Sequence, residues 1–233
     1  MSKSKIQELF DFDESNKENF ELIIGTDEAG RGPGAGPVVA AALCFTQGID
    51  DEITNKLQLL NDSKQLTEKK REELFENILI LEQQGKCIFS IQDGSVEQID
   101  KMNILNTSLN CMKKACEEVI KKSSTTKSKI LVDGNRLIKN VSFTQTTVVK
   151  GDAKSAAIAA ASILAKVSRD KFMDKLALEF PQYGWQKNKG YLSKEHINAI
   201  KEFGATKWHR KKFLRNILEE IKQEQEQAQL TLF

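Results

Sequence analysis

Residues 22–45 constrain this chain most: two apolar runs flank an acidic pair and a glycine-rich loop. Residues 22–24 read as a buried strand that delivers Asp27 and Glu28 to its end. Gly30, Gly32, Gly34 and Gly36 then alternate with Arg31, Pro33 and Ala35, so backbone N–H groups can approach a ligand without Cβ obstruction. Residues 38–45 form a second apolar run that returns as a strand, and the two together predict a hairpin. Acids beside a basic glycine loop suit a metal ion lying between carboxylates and a phosphate.

The same loop also satisfies a loose dinucleotide-binding pattern, Gly30-x-Gly32-x-x-Ala35 after a strand. That reading needs a helix N-terminus aimed at a pyrophosphate. Asp27 and Glu28 stand immediately before the loop, and like charges ~4 Å apart cost roughly 4 kcal/mol at an effective dielectric near 20. The run after Pro37 is short and lacks helical periodicity, which fits a strand and not the required helix.

A length of 233 residues suits one domain with a small appendage. The net charge of +2 is too small to name a partner, so the placement of charge has to. Cys44, Cys87, Cys111 and Cys116 show no CxxC pairing, which argues against a zinc site and for buried, reduced thiols. No run approaches the ~20 apolar residues of a membrane span, and residues 1–20 lack the basic start and apolar stretch of a secretory signal. A cytoplasmic protein that does not engage membranes is expected.

Along the chain, residues 1–20 read as a loosely docked lead-in and residues 61–66 as a polar connection. Thr67 is a candidate N-cap for a helix with Leu74, Ile78 and Leu81 on one face, stopped by Gly85. A short strand over 87–91 precedes a Ser95–Gln98 capping box. One helix is expected behind it, with Met102, Leu105, Leu109, Met112, Cys116 and Val119 as its core stripe. Residues 121–129 are a basic loop, and residues 130–132 a strand ending at Asp133. A further strand ends at Val148–Val149, and an alanine-rich helix over 156–177 can pack closely on a sheet. Pro181 breaks it, Ser193 caps a helix reaching Phe203, and another runs from about 211 past 220. Alternating strands and helices after a hairpin argue an α/β sheet flanked by helices. The divisions expected are 1–20, a core over 21–180, a helical extension over 181–218, and a solvated tail over 219–233.

Three strand ends thus present carboxylates: Asp27 with Glu28, Asp133, and Asp152. Functional crevices of open α/β sheets lie beyond strand ends. Four carboxylates would be offset by two divalent cations, which can activate water and hold a leaving oxygen in a displacement at phosphorus. Arg31, Lys64, Lys150, Lys154, Lys166 and Arg169 lie near these acids in sequence, and residues 207–212 are a basic cluster with one aromatic. Spread around such a site, they suit a nucleic-acid backbone.

Taken in order, Gly25-Thr-Asp-Glu-Ala-Gly-Arg-Gly-Pro33, Asp62-Ser-Lys-x-Leu66, Asn103-Ile-Leu105, Val132-Asp-Gly134 and Lys150-Gly-Asp-Ala153 resemble the type 2 ribonucleases H, the ribonuclease HII family. Ala161-Ser-Ile-Leu-Ala-Lys166 with Arg169-Asp170, Lys189-Gly-Tyr191 and His209-Arg210 extend the resemblance to residue 213. It implies a ribonuclease H-like mixed sheet flanked by helices, with a C-terminal helical extension. It implies Asp27, Glu28, Asp133 and Asp152 as catalytic, metal-binding acids for Mg²⁺ or Mn²⁺, two ions with substrate bound. The implied substrate set is Gly30, Arg31, Gly32, Ser63, Lys64, Lys154, Ser162, Lys166 and Tyr191, with the glycine loop reading a ribose and Tyr191 packing on the next sugar. The implied reaction cuts the RNA strand of RNA–DNA hybrids, and duplex DNA 5′ to a single embedded ribonucleotide, leaving 3′-hydroxyl and 5′-phosphate ends. That would place the enzyme, a monomer, in DNA replication and repair; a binding-only protein would have no reason to keep four acids.

Some positions depart from the family pattern. Gly34 stands where a larger residue is common, Asn188 where histidine is frequent, and Leu192-Ser193 where Gly-Thr is frequent. Beyond the matched region, Gln229, Leu230, Leu232 and Phe233 resemble the peptide by which bacterial repair proteins dock on the sliding clamp, carried on a polar spacer over 219–228.

Overall fold

The computed structural model describes residues 4–60, 66–123, 125 and 127–230; for residues 224–230 it describes the backbone alone. The acidic and glycine-rich stretch forms β1 (Leu22–Ala29) and β2 (Val38–Phe45), paired antiparallel with Asp27 opposite Ala41. β3 (Cys87–Gly94) adds antiparallel to β2. On the other side of β1, β4 (Ser128–Asp133) and β5 (Thr144–Val148) add in parallel, giving the mixed order β3-β2-β1-β4-β5. The expected α/β sheet with flanking helices is what forms.

The helices sort onto the two faces by side-chain size and period. α6 (Ala156–Glu179) crosses one face, and a Cβ at Gly25 would stand 2.2 Å from the Ile158 backbone nitrogen. Helix and strand therefore meet at backbone contact, which a glycine opposite an alanine-rich helix face permits. α3 (Glu68–Gln83), capped by Thr67 as expected, buries Leu74, Ile78 and Leu81 in the same layer. α5 (Ile104–Lys122) covers the other face with Leu109, Met112, Cys116 and Val119. The single helix expected there is two. α4 (Val96–Met102) follows the Ser95–Gln98 capping box and ends at Asn103, whose φ of +69° breaks the helix. The Asn103 side chain then accepts the Asn106 N–H at 3.0 Å and caps α5.

Two further expectations change. The lead-in is a docked helix, α1 (Lys5–Lys17), burying Ile6, Leu9 and Phe10 in the layer of α3 and α6. Asp13 on α1 is buried and accepts the Ala157 N–H at 2.9 Å, in the first turn of α6. Positions 6, 9 and 10 are a helical stripe too short to stand out among charged neighbours. α2 (Asp51–Leu57), capped by Asp50, was likewise not expected.

After Pro181 the chain forms α7 (Trp185–Asn188), α8 (Lys194–Phe203) and α9 (Arg215–Leu230) around Met173, Leu176, Tyr183, Trp185 and Ile200. Ser193 caps α8 as expected, its hydroxyl accepting the His196 N–H at 3.3 Å. α9 packs Ile217, Leu218 and Ile221 on this cluster, and its backbone stays helical to Leu230, well into the 219–233 stretch expected to form a solvated tail, whose last three residues lie outside the described ones.

Candidate active site

The carboxylates are gathered by strand register. β1 and β4 run parallel with Gly25 beside Leu131 and Thr26 beside Val132. Side chains alternate along a strand, so Asp27 and Asp133 share the face of Gly25 and Leu131, the face that α6 covers. Pairing of the two strands stops at Thr26 and Val132, which leaves both acids side by side just past the last paired residues. Asp133 Oδ1 accepts the Gly151 N–H at 2.7 Å. Gly151 opens a single 3₁₀ turn, Gly151–Ala153, so the buried Asp152 follows directly on a residue fixed to Asp133. Glu28 has the opposite parity, and its Oε1 lies 3.1 Å from Arg31 Nη1.

This cluster is electrostatically uncomfortable as it stands. Burial, then the neighbouring Glu28 and Asp133 carboxylates, push Asp27 well above the usual carboxylate range. Hydrogen bonds from the Ser162 hydroxyl on α6 and from the Glu28 N–H, the latter at 2.7 Å, oppose that push only in part. Clustered carboxylates of this kind fit a hard divalent cation, and oxygen-only donors suit magnesium or manganese. Among the described residues no three acidic, histidine or cysteine side chains form a ready-made metal cage. Magnesium-type sites take water and substrate phosphate as their remaining ligands, so the acids present fit one.

The glycine loop beside the acids is held from below by two buried arginines. Arg169 on α6 donates to the carbonyls of Pro37 (3.0 Å), Lys189 (2.9 Å) and Ala35 (3.0 Å). Arg210 donates to those of Gly36 (2.9 Å), Gly30 (2.7 Å), Pro37 (3.0 Å) and Arg31 (3.3 Å). Gly30 sits at φ +94°, and a Cβ there would reach 2.1 Å from Arg169 Nε. Sequence reading grouped Arg169 with phosphate contacts and Arg210 with a basic surface cluster; both are instead buried braces. Neither role is visible from spacing, because the loop carbonyls they hold lie more than 130 residues away in sequence.

The C-terminal extension supplies the opposite wall. Gly190 O accepts the N–H groups of Gly34 (2.9 Å) and Ala35 (3.2 Å), which brings Tyr191 over the loop. A Cβ on Gly32 would lie 3.3 Å from Tyr191 Cε1, and the tyrosine is 52% exposed. Its backbone is pinned by His196, whose Nδ1 lies 2.9 Å from Tyr191 O. His196 Nε2 lies 3.0 Å from Trp185 Nε1 and 3.1 Å from His209 Nε2, while His209 Nδ1 accepts the Thr206 N–H at 2.9 Å. These partners call for both histidines neutral, His196 protonated on Nδ1 and His209 on Nε2, with Trp185 and His209 sharing the single lone pair of His196 Nε2. Burial, then the nearness of a second imidazole in His196, lowers His209 to about 4.

Other expected substrate residues are placed less uniformly. Lys154 is exposed beside Asp152, whereas Lys166 Nζ is 2.7 Å from Asp170 Oδ1. Ser63 and Lys64 lie outside the described residues, as do Leu232 and Phe233; Gln229 and Leu230 lie on the α9 backbone. The departures from the family pattern are accommodated. Asn188 Oδ1 accepts the Gly190 N–H and its amide donates to Tyr183 O, both at 2.8 Å. Gly34 and Leu192 face each other: a Cβ at 34 would stand 2.6 Å from Leu192 Cδ2.

Comparison with known proteins places the chain in a family. The family described as Ribonuclease HII matches residues 24–216. Ribonuclease HII of Fusobacterium nucleatum is 48% identical over 201 residues, covering 86% of this chain and 89% of that protein. The Pelagibacter ubique protein of the same name is 47% identical, covering 83% and 96%. Among solved structures, ribonuclease H2 from Pyrococcus horikoshii superposes with a TM-score of 0.63 at 27% identity, covering 86% of this chain and 99% of that one. The PCNA:RNase HII complex from Archaeoglobus fulgidus gives 0.62 at 27% identity, covering 81% and 93%.

Proposed function

The chain belongs to the ribonuclease HII family and is a ribonuclease H, and from that premise we propose that it cuts RNA–DNA hybrids and duplex DNA 5′ to single embedded ribonucleotides, leaving 3′-hydroxyl and 5′-phosphate ends. The observation that carries the reading is the meeting of Asp27 and Asp133 at adjacent parallel strand ends, with Gly151 tying the Asp152 turn to Asp133. Asp27, Glu28, Asp133 and Asp152 would hold Mg²⁺ or Mn²⁺, two ions with substrate bound, which supply an activated water and neutralise charge at the scissile phosphate.

The residues of the chain itself account for choice of substrate. A 2′-hydroxyl is the only group separating RNA from DNA at a given sugar. The braced Gly30-Arg31-Gly32 backbone presents polar groups without Cβ cover, suited to a ribose hydroxyl. Tyr191, half exposed and against Gly32, offers a ring on which the following deoxyribose packs. Arg31 and Lys154 add positive charge on the phosphate path. These roles make the enzyme one that acts in ribonucleotide removal during replication and repair, in the cytoplasm; among the described residues no helix is long and apolar enough to cross a membrane.

The terminal Gln229-Leu-Thr-Leu-Phe233 would dock on the bacterial sliding clamp. Support comes from the A. fulgidus relative, solved as a complex with PCNA. The helical backbone of α9 makes its carrier a rod and not a loose spacer.

A cleavage assay on a duplex with one embedded ribonucleotide, with and without Mg²⁺, tests the central reading. Asp133→Asn should lower cleavage by orders of magnitude while hybrid binding survives, because basic residues carry most affinity. Near-normal turnover by that variant would overturn the assignment of the acids.

A further inference from the structure

The Tyr191 ring has to stand at a fixed height over Gly32 to read a sugar, yet it is half exposed and lies beyond the last backbone contact between the two segments. Its neighbour Leu192 is the residue that reaches further. On one side Leu192 packs against the cluster of Ala35, Met173, Trp185 and Ile200. On the other it fills the space over the bare Cα of Gly34, where the three nearest atoms to an added Cβ are all its own, at 2.6, 2.7 and 3.1 Å. Gly34 is not among the residues with positive φ, so its backbone would accept a side chain. The nearest obstacle to a side chain there is the end of Leu192. Successive residues thus meet alternate glycines, Tyr191 at Gly32 and Leu192 at Gly34.

We propose that Leu192 and Gly34 are one volume-sharing unit, in which Leu192 is a positioning residue that sets Tyr191 against the glycine loop and so tunes discrimination at an RNA–DNA junction. The part concerning discrimination rests on the function proposed above; the positioning contact does not. A side chain at 34 has to push Leu192 outward, and Tyr191 moves with it because one peptide bond joins them. Removing the leucine branches removes the stop on the other side. Because the two residues compete for one volume, each single change is harmful and the paired change restores the fit.

The experiment compares Gly34→Val, Leu192→Ala and the double variant with the wild type, by two readouts. The first is substrate-free: ring ¹³C–¹H resonances of the two tyrosines the chain contains. Gly34→Val should shift Tyr191 while sparing Tyr183, which is buried and stacked on Trp185, and the double variant should return Tyr191 to its wild-type position. The second is steady-state cleavage of a duplex with one embedded ribonucleotide. Each single variant should raise KM about fivefold or more with a smaller change in kcat, and the double variant should fall within about twofold of wild type. An unmoved Tyr191 resonance in Gly34→Val, or a double variant as impaired as the sum of the singles, overturns the unit. If Gly34→Val does not fold, Leu192→Ala and the double variant decide it by the same two readouts. If Tyr191 moves and is restored but the wild type does not distinguish this duplex from all-DNA duplex, the discrimination role falls and the positioning contact stands.

Discussion

Replacing Arg210 by methionine should loosen the glycine loop. The guanidinium is fully buried and donates to four carbonyls. Pro37 O keeps a second donor in Arg169 Nε, and the 3.3 Å contact to Arg31 O is long and weak. The loss therefore concentrates on Gly30 O and Gly36 O, at 2.7 and 2.9 Å. Leaving a buried carbonyl unsatisfied costs about 1–3 kcal/mol, or roughly 2–6 kcal/mol for the pair. Burying the charge already strains the guanidinium, pushed down to about 9 chiefly by burial and then by Arg169. Removing it returns roughly 1–2 kcal/mol, so the middle of the two ranges leaves a net loss of about 2–3 kcal/mol. For a chain of this length that corresponds to a fall in Tm of roughly 5–10 °C. Arg210→Lys should lose a similar amount, because an ammonium cannot reach the separate carbonyls that a planar fork spans. Urea and thermal unfolding followed by circular dichroism measure both variants. A loss below about 1 kcal/mol in Arg210→Met would show that the loop carbonyls do not depend on the guanidinium.

Asp27→Asn should abolish cleavage yet raise the thermal midpoint, since it removes a buried charge facing Glu28 and Asp133. The sign follows from the raised value: the folded state holds its proton longer than the unfolded one, so the wild type loses stability as pH rises above the usual carboxylate range, and Asp27→Asn should not. His209 is lowered to about 4 and so behaves in the opposite sense. Its stability contribution is complete above about pH 6.5 and is lost on going down towards 4, roughly 3 kcal/mol in all; His209→Gln should flatten that fall in urea midpoints. Deleting residues 229–233 should leave cleavage of short free duplexes unchanged and abolish binding to purified bacterial clamp. Calorimetry giving equal affinity for full-length and truncated protein would exclude the clamp peptide.

Much of the candidate site was legible in sequence because strand chemistry is local. An apolar run followed by acids puts carboxylates at a strand end wherever that strand pairs, and this holds for Asp27, Glu28 and Asp133. Caps at Thr67, Ser95 and Ser193 were readable for the same reason, since each bonds a backbone N–H three residues on. What the sequence could not carry were interactions joining distant segments. Parallel pairing of β1 with β4 decides that Asp27 meets Asp133, and nothing within either strand encodes the partner. An arginine in a basic run looks the same whether it faces water or loop carbonyls 173 and 174 residues away, as Arg210 does. The docking of α1 and the mutual fit of Gly34 and Leu192 are likewise properties of two surfaces brought together, so only the folded chain could reveal them.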